Sequence, residues 1–220
     1  MLHFINGKLK MRNGILNITL GTGNEHKVFE INTIVKSLGY DNIIFTPAPE
    51  GFNPVEDGES FEENSYIKAK EGAKLSGMTC LADDSGLCID ALNGAPGLYS
   101  ARYAGSQDDK IKRVLTELEG VENRKAKFVC CMTLVDKSGE IIHRTKGECH
   151  GHIIKERKGV NGFGYDPIFM PDNYDITIAE MSDDKKNSIS HRGRALREML
   201  MFLGNSELQN IISENSKTVV

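Results

Sequence analysis

The chain has 220 residues, 39% of them hydrophobic, with 27 Lys plus Arg against 31 Asp plus Glu and a formal net charge of -4. These proportions belong to a folded globule and exclude collagen-like, low-complexity and wholly disordered chains, while the acidic balance argues against a protein built to grip DNA or RNA. No window approaches the ~18 apolar residues of a membrane span; there is no secretory leader pattern, and five Cys without a C-x-x-C pair suggest neither a disulfide framework nor a zinc knuckle, so a cytoplasmic protein with reduced thiols is expected.

Residues 1–14 are polar and aperiodic and read as an extension ahead of a first strand, Ile15 to Leu20. Gly21-Thr22-Gly23-Asn24 breaks that strand, and Val28, Ile31, Val35 and Leu38 then recur at helical spacing until Gly39 stops them. A short strand at 43–45 leads into a Pro/Gly-rich acidic loop, PAPEGFNPVEDGE. Ser60 with Glu63 is a capping-box signature, opening a helix through Ser76 that Gly77 closes. Thr79 to Ala82 is a brief apolar run ending in Asp83-Asp84-Ser85-Gly86, and residues 87–105 read as strand and loop.

Ile111, Val114, Leu115 and Leu118 mark a third helix ended by Gly120. Phe128 to Val135 is the most apolar strand and pairs across Asp136-Lys137-Ser138-Gly139 with a second, from Ile141 towards His152. A last helix runs from Ser190 to Leu203 and stops at Gly204. The order predicts a mixed α/β sheet covered by helices, in one continuous domain over 15–203 with a polar tail at 204–220.

Several places invite chemistry. The turn Thr22-Gly23-Asn24 leaves a strand and enters a helix, so unpaired N–H groups and the positive end of the helix dipole converge where a phosphate would bind, with Lys27 one turn on. A capped turn with a solvated lysine is the structural alternative, and the pattern is neither a P-loop nor a dinucleotide fingerprint. Asp83 and Asp84 close an apolar run, which puts carboxylates at a strand end, where open α/β sheets hold ligands. Mg²⁺ takes one or two such carboxylates, and Glu56, Asp57, Glu62 and Glu63 offer the rest, with a solubilising acidic loop the favoured reading for Asp57, Glu59 and Glu62.

Asn161 to Pro167 (NGFGYDP) combines flexible glycines, two aromatic rings and an acid, a set able to approach and stack on a flat heterocycle, with a loop packed by its own aromatics as the structural alternative. Ser190, His191 and Arg192, with Lys185 and Lys186 upstream, supply donors for carbonyl or phosphate oxygens. Cations in a first helical turn oppose the dipole, which favours ligand contact over simple capping. His150 and His152 share one strand face while Cys149 points away, so these are read as structural or surface groups, and Cys130-Cys131 as core.

The ordered runs TGNEHK (22–27), EDGESFEEN (56–64), LADDSGLCIDALNGAPGLYSARYAG (81–105), GFGYDPIF (162–169) and AEMSDDKKNSISHRGRAL (179–196) closely resemble the inosine/xanthosine triphosphate pyrophosphatase family, RdgB-type, over about residues 15–203. That resemblance implies an elongated mixed α/β sheet with two lobes around a central cleft, and a homodimer. It implies Mg²⁺-dependent hydrolysis of ITP, dITP or XTP to the monophosphate and pyrophosphate. Small-molecule purine nucleotides are the partners it implies, with no nucleic acid and no membrane. The chain departs from the family in a longer N-terminus, which leaves Met11 as an alternative start.

By the same resemblance Asp84 is the general base and touches the metal, and Glu56 is a metal ligand. Thr22, Gly23, Asn24, Glu25, His26 and Lys27 hold the triphosphate, with charge added by Lys68 and Lys186 and a contact from Ser85. Phe163, Gly164, Tyr165 and Asp166 form the base-binding loop, with Tyr165 stacking, and His191 and Arg192 meet the purine 6-oxo group. A donor site of this kind disfavours adenine, whose 6-amino group is itself a donor. An aspartyl phosphatase would need D-x-D where this chain has adjacent acids. A nucleotide sensor would not need Asp84, and a pyrophosphatase of modified pyrimidines would not need Ser190-His191-Arg192.

Overall fold

The computed structural model describes residues 4, 5, 8, 9 and 15–204. Within the stretch read as an aperiodic extension, β1 (Phe4–Ile5) and β2 (Lys8–Leu9) pair antiparallel, Phe4 opposite Leu9. The possible start at Met11 and the tail beyond residue 204 lie outside the described residues.

Leu16, Ile18 and Leu20 are all buried and drive β3 (Leu16–Leu20) into the sheet. Asn24 then caps α1 (Glu25–Ser37), its side chain accepting from the Lys27 N–H, and the chain returns through β4 (Ile43–Pro47). α2 (Phe61–Ser76) begins at Ser60, whose hydroxyl accepts from the Glu63 N–H, and ends at Gly77 in the left-handed conformation, as the capping residues predict. Glu63 does not close a reciprocal box; its carboxylate accepts from the Glu59 N–H instead, at 2.6 Å.

β5 (Cys80–Ile89) is longer than the sequence suggests. It does not end at Ala82 but runs through Asp83-Asp84-Ser85-Gly86 to Leu87 and Ile89, both fully buried, and that second apolar pair keeps the chain extended. The acids are therefore mid-strand rather than at a strand end. Their surroundings explain the ligand-like position all the same: β3 pairs with β5 at Thr19↔Cys80 and Leu20↔Leu81, after which β3 turns away and β5 continues.

α3 (Gln107–Glu117) opens on a full capping box between Ser106 and Asp109. β6 (Lys125–Val135) and β7 (Ile141–Ile153) are joined by a turn in which the Asp136 carboxylate accepts from the Ser138 and Glu140 N–H groups. β8 (Phe169–Pro171), α4 (Asp183–Ile189) and α5 (His191–Leu203) complete the chain. α4 is absent from the sequence reading because its seven residues, DDKKNSI, carry no apolar stripe.

The strand order is β4-β3-β5-β6-β7-β8, with β3 parallel to both β4 and β5 and β7 antiparallel to β8, a mixed sheet flanked by helices. The connection β3-α1-β4 moves outward and β4-α2-β5 moves back past β3. Right-handed crossovers of opposite sense put α1 and α2 on opposite faces. A strand order that reverses beside β3 is where doubly wound sheets hold ligands.

The chain forms two compact units, one within residues 1–84, 131–145 and 195–220, the other within 85–130 and 146–194. In the first, Ala69, Ala73, Cys80, Ala82 and Val135 pack together beside Tyr66. In the second, Leu87, Ile89, Ile111, Val114, Leu118, Phe128, Ile153, Tyr165, Ile168 and Phe169 belong to one buried cluster.

Candidate active site

In the first unit, charge gathers around the end of β3. Gly21 leaves the strand so close to its neighbours that a Cβ there would lie 3.0 Å from both the Lys68 carbonyl oxygen and the Ala82 Cβ. Glycine at 21 thus brings the turn that opens α1 against α2 and β5. Thr22 Oγ1 accepts from the Asn24 N–H at 3.1 Å, which fixes the turn, while Gly23 and Asn24 stay exposed.

Consecutive strand residues face opposite sides, and the two acids of β5 accordingly meet lysines of different helices. Asp83 Oδ2 is 2.9 Å from Nζ of Lys27 on α1, and Asp84 Oδ1 is 2.6 Å from Nζ of Lys68 on α2. Lys68 also donates to Glu56 Oε2 at 3.0 Å, so one ammonium is held between two carboxylates. The loop carrying Glu56 is strapped to the first turn of α2 by the Asn64 side chain, which accepts from the Gly58 N–H at 2.9 Å. Only glycine fits at 58, because a Cβ would stand 2.8 Å from that same Asn64 oxygen.

These charges tune one another. Burial lifts the Asp84 carboxyl above the usual carboxylate range; Lys68 and Lys27 pull against that and Glu56 reinforces it. Burial works against a charged Lys68, yet Asp84, Asp83 and Glu56 together outweigh it and hold the ammonium above its ordinary pKa of 10.5. The result is a protonated lysine beside a carboxylate that takes up a proton more readily than an exposed one.

The second unit holds a cluster of different character. Asp166, which is buried, accepts from the Phe163 N–H at 2.9 Å and from Lys186 Nζ at 3.1 Å, closing the loop 163–166 on itself. Gly162 makes that closure possible, since its φ is +74° and a Cβ would fall 2.2 Å from Asp166 Oδ2. The half-buried Phe163 ring lies beneath two cations, with Lys186 Nζ at 4.6 Å and the Arg192 guanidinium carbon at 5.8 Å from its centroid. Arg192 is 2% exposed and its Nη2 donates to Ser85 Oγ at 3.4 Å. His191 stacks on Phe128, ring centroids 4.8 Å apart and planes at 11°. Ser190 accepts from the Gly193 N–H at 3.0 Å, so this helix start is capped and also presents buried cations.

Thus Thr22, Lys27, Glu56, Lys68 and Asp84 of the predicted set come together in the first unit, and Ser85, Phe163, Asp166, Lys186, His191 and Arg192 in the second. Glu25 and His26 begin α1 on the same turn as Asn24. Tyr165 departs from its expected role. Its ring is 3% exposed in the core and its hydroxyl donates to the Ser100 carbonyl at 3.0 Å, so it anchors the loop and offers no face to a heterocycle. Cys149 is buried and His150 pairs with Glu148 at 3.1 Å, in keeping with structural or surface roles.

Two contributors escaped the sequence reading, and for a third, Asp83, the acid was read but its partner was not. Asp83 orients Lys27, Phe128 supports His191, and Gln107 accepts from the Gly164 N–H at 3.0 Å. Asp83 was recognisable as a buried acid needing a cation. Phe128 and Gln107 carry no local signal, since their partners lie far along the chain.

The chain is similar to known proteins over most of its length. The model of the Ham1 family matches residues 18–202. A dITP/XTP pyrophosphatase of Desulforamulus reducens is 44% identical over 194 residues, spanning 86% of this chain and 96% of that protein. A dITP/XTP pyrophosphatase of Treponema denticola is 43% identical over 200 residues, 87% of this chain and 100% of the relative. Among solved structures, a HAM1 protein from Coxiella burnetii superposes with a TM-score of 0.77 at 39% identity, covering 86% of this chain and 99% of its own.

Proposed function

The chain belongs to the Ham1 family, and on that premise we propose that it hydrolyses non-standard purine nucleoside triphosphates, ITP, dITP and XTP, to the monophosphate and pyrophosphate. The observation that carries the reading is the Lys68 ammonium held at 3.0 Å from Glu56 and 2.6 Å from Asp84, which gathers a cation for phosphate and two acids for metal and water at one place. A cation already fits between these oxygens. Glu56 and Asp84 would therefore hold Mg²⁺, whose hard-oxygen preference and modest need for carboxylates suit the pair. When bound, Mg²⁺ neutralises phosphate oxygens and eases attack on phosphorus.

The chain's own residues do the rest. One oxygen of Asp84, Oδ1, meets a cation, here Lys68, and Oδ2 accepts the proton of the attacking water, a task helped by burial, which raises the carboxyl above the usual carboxylate range. Thr22, Asn24 and the amide groups of the first turn of α1 receive phosphate oxygens, with charge from Lys27 and Lys68. Phe163 and the backbone of 163–166 receive the base, and His191 and Arg192 donate to its 6-oxo group. Adenine places a donor opposite those donors and is rejected. The family resemblance supports a homodimer acting on free nucleotides in the cytoplasm.

The test is to incubate the purified protein and Mg²⁺ with ITP, dITP, XTP, GTP and ATP, assaying monophosphate and pyrophosphate together. Preferred turnover of the oxo-purine substrates with stoichiometric pyrophosphate is expected. Release of orthophosphate, or equal turnover of ATP, overturns the reading.

A further inference from the structure

We propose that Lys68 is a built-in counter-ion that occupies the divalent metal's place, so that metal binds tightly only when a polyphosphate draws the ammonium off the two carboxylates. The inference rests on the assignment of Glu56 and Asp84 to the metal and adds the group that competes for them.

The lysine bonds the oxygens Glu56 Oε2 and Asp84 Oδ1, at 3.0 and 2.6 Å. Mg²⁺ would take such oxygens at about 2.0–2.1 Å. An ammonium and a dication cannot share one pair of oxygens at these distances, because their mutual repulsion is hardly screened away from water. The side chains of Lys68 and Asp84 are only 8% and 10% exposed.

Displaced by metal alone, Lys68 would lose both acids. The remaining acid of the cluster, Asp83, lies on the opposite side of β5 and is engaged by Lys27 at 2.9 Å. A polyphosphate removes this obstacle, since its oxygens accept the lysine's protons while the carboxylates turn to the metal. Metal and polyphosphate then strengthen each other's binding, and by linkage the effect is reciprocal.

The experiment uses the full chain with Mn²⁺ alone and no nucleotide, following free Mn²⁺ by electron paramagnetic resonance and folding by thermal melts. Lys68→Met should bind Mn²⁺ at least about tenfold more tightly than the wild type, as expected for the loss of one charge-assisted competitor. Mn²⁺ should raise the melting temperature of Lys68→Met and leave the wild type unmoved. The gain should vanish in the double variant Lys68→Met/Glu56→Gln. Equal Mn²⁺ affinity in wild type and Lys68→Met, within about twofold, overturns the proposal, as does a gain that survives in the double variant. If Lys68→Met does not fold, Lys68→Gln, which keeps a donor for Asp84, carries the same comparison with the same outcomes. No nucleotide enters this experiment, so its failure leaves the hydrolytic reading standing, and failure of the nucleotide panel leaves this one standing.

Discussion

Lys27 Nζ stands 2.9 Å from Asp83 Oδ2, and the ends of this ion pair differ in their access to water, with the lysine side chain 15% exposed and the acid 1%. The asymmetry predicts unequal costs. Lys27→Met withdraws the cation from a carboxylate that solvent cannot reach and should cost about 3 kcal/mol. Asp83→Asn leaves an ammonium able to turn outward and should cost about 1 kcal/mol. Urea unfolding of both variants measures the difference, and a larger loss for Asp83→Asn would contradict the burial argument.

Asp84→Asn keeps the shape and a hydrogen-bond acceptor for Lys68 but cannot take a proton from water. Turnover of ITP should fall by about 10²–10⁴-fold, the range of general-base loss, with a native circular dichroism spectrum. Near-wild-type hydrolysis would remove Asp84 from the chemical step.

Arg192 is the largest fully buried side chain among the described residues, and we expect it to discriminate rather than to catalyse. Arg192→Gln should lower the ratio of kcat/KM for ITP over ATP by about 10–100-fold, the effect of one mispaired buried donor. Competition between the two nucleotides reads the ratio directly. A uniform loss on both would assign Arg192 to phosphate instead.

Burial pushes the Cys80 thiol from 9.0 up to about 12 and the Cys149 thiol up to about 11. These groups stay protonated in the fold while the unfolded chain releases their protons above pH 9. Stability from this source is therefore complete below about pH 9 and is lost as pH climbs towards 11–12, on the order of 1–2 kcal/mol per thiol at pH 10.5. Urea midpoints at pH 8 and 10.5 test this, and Cys80→Ala should flatten the alkaline slope.

Local signals proved readable. Ser60 and Gly77 bound α2 where the capping residues say, and Gly39, Gly120 and Gly139 take the positive φ of stops and turns. What stayed hidden was set by partners distant in sequence. Whether Tyr165 stacks on a ligand or anchors a loop depends on the Ser100 carbonyl, 65 residues away. Likewise β5 looked finished at Ala82 because polar residues follow, and only lysines from α1 and α2 make Asp83 and Asp84 tolerable inside a strand. The residues of chemistry were legible by type, and their pairing was not.

β5 also constrains how this gene can drift. Asp84 and Ser85 are neighbours on a ten-residue strand whose alternate side chains answer to different helices. Inserting or deleting one codon there would throw every later residue out of phase, swapping which acid greets which lysine and turning Leu87 and Ile89 about. A surface loop can absorb such a change; this segment cannot.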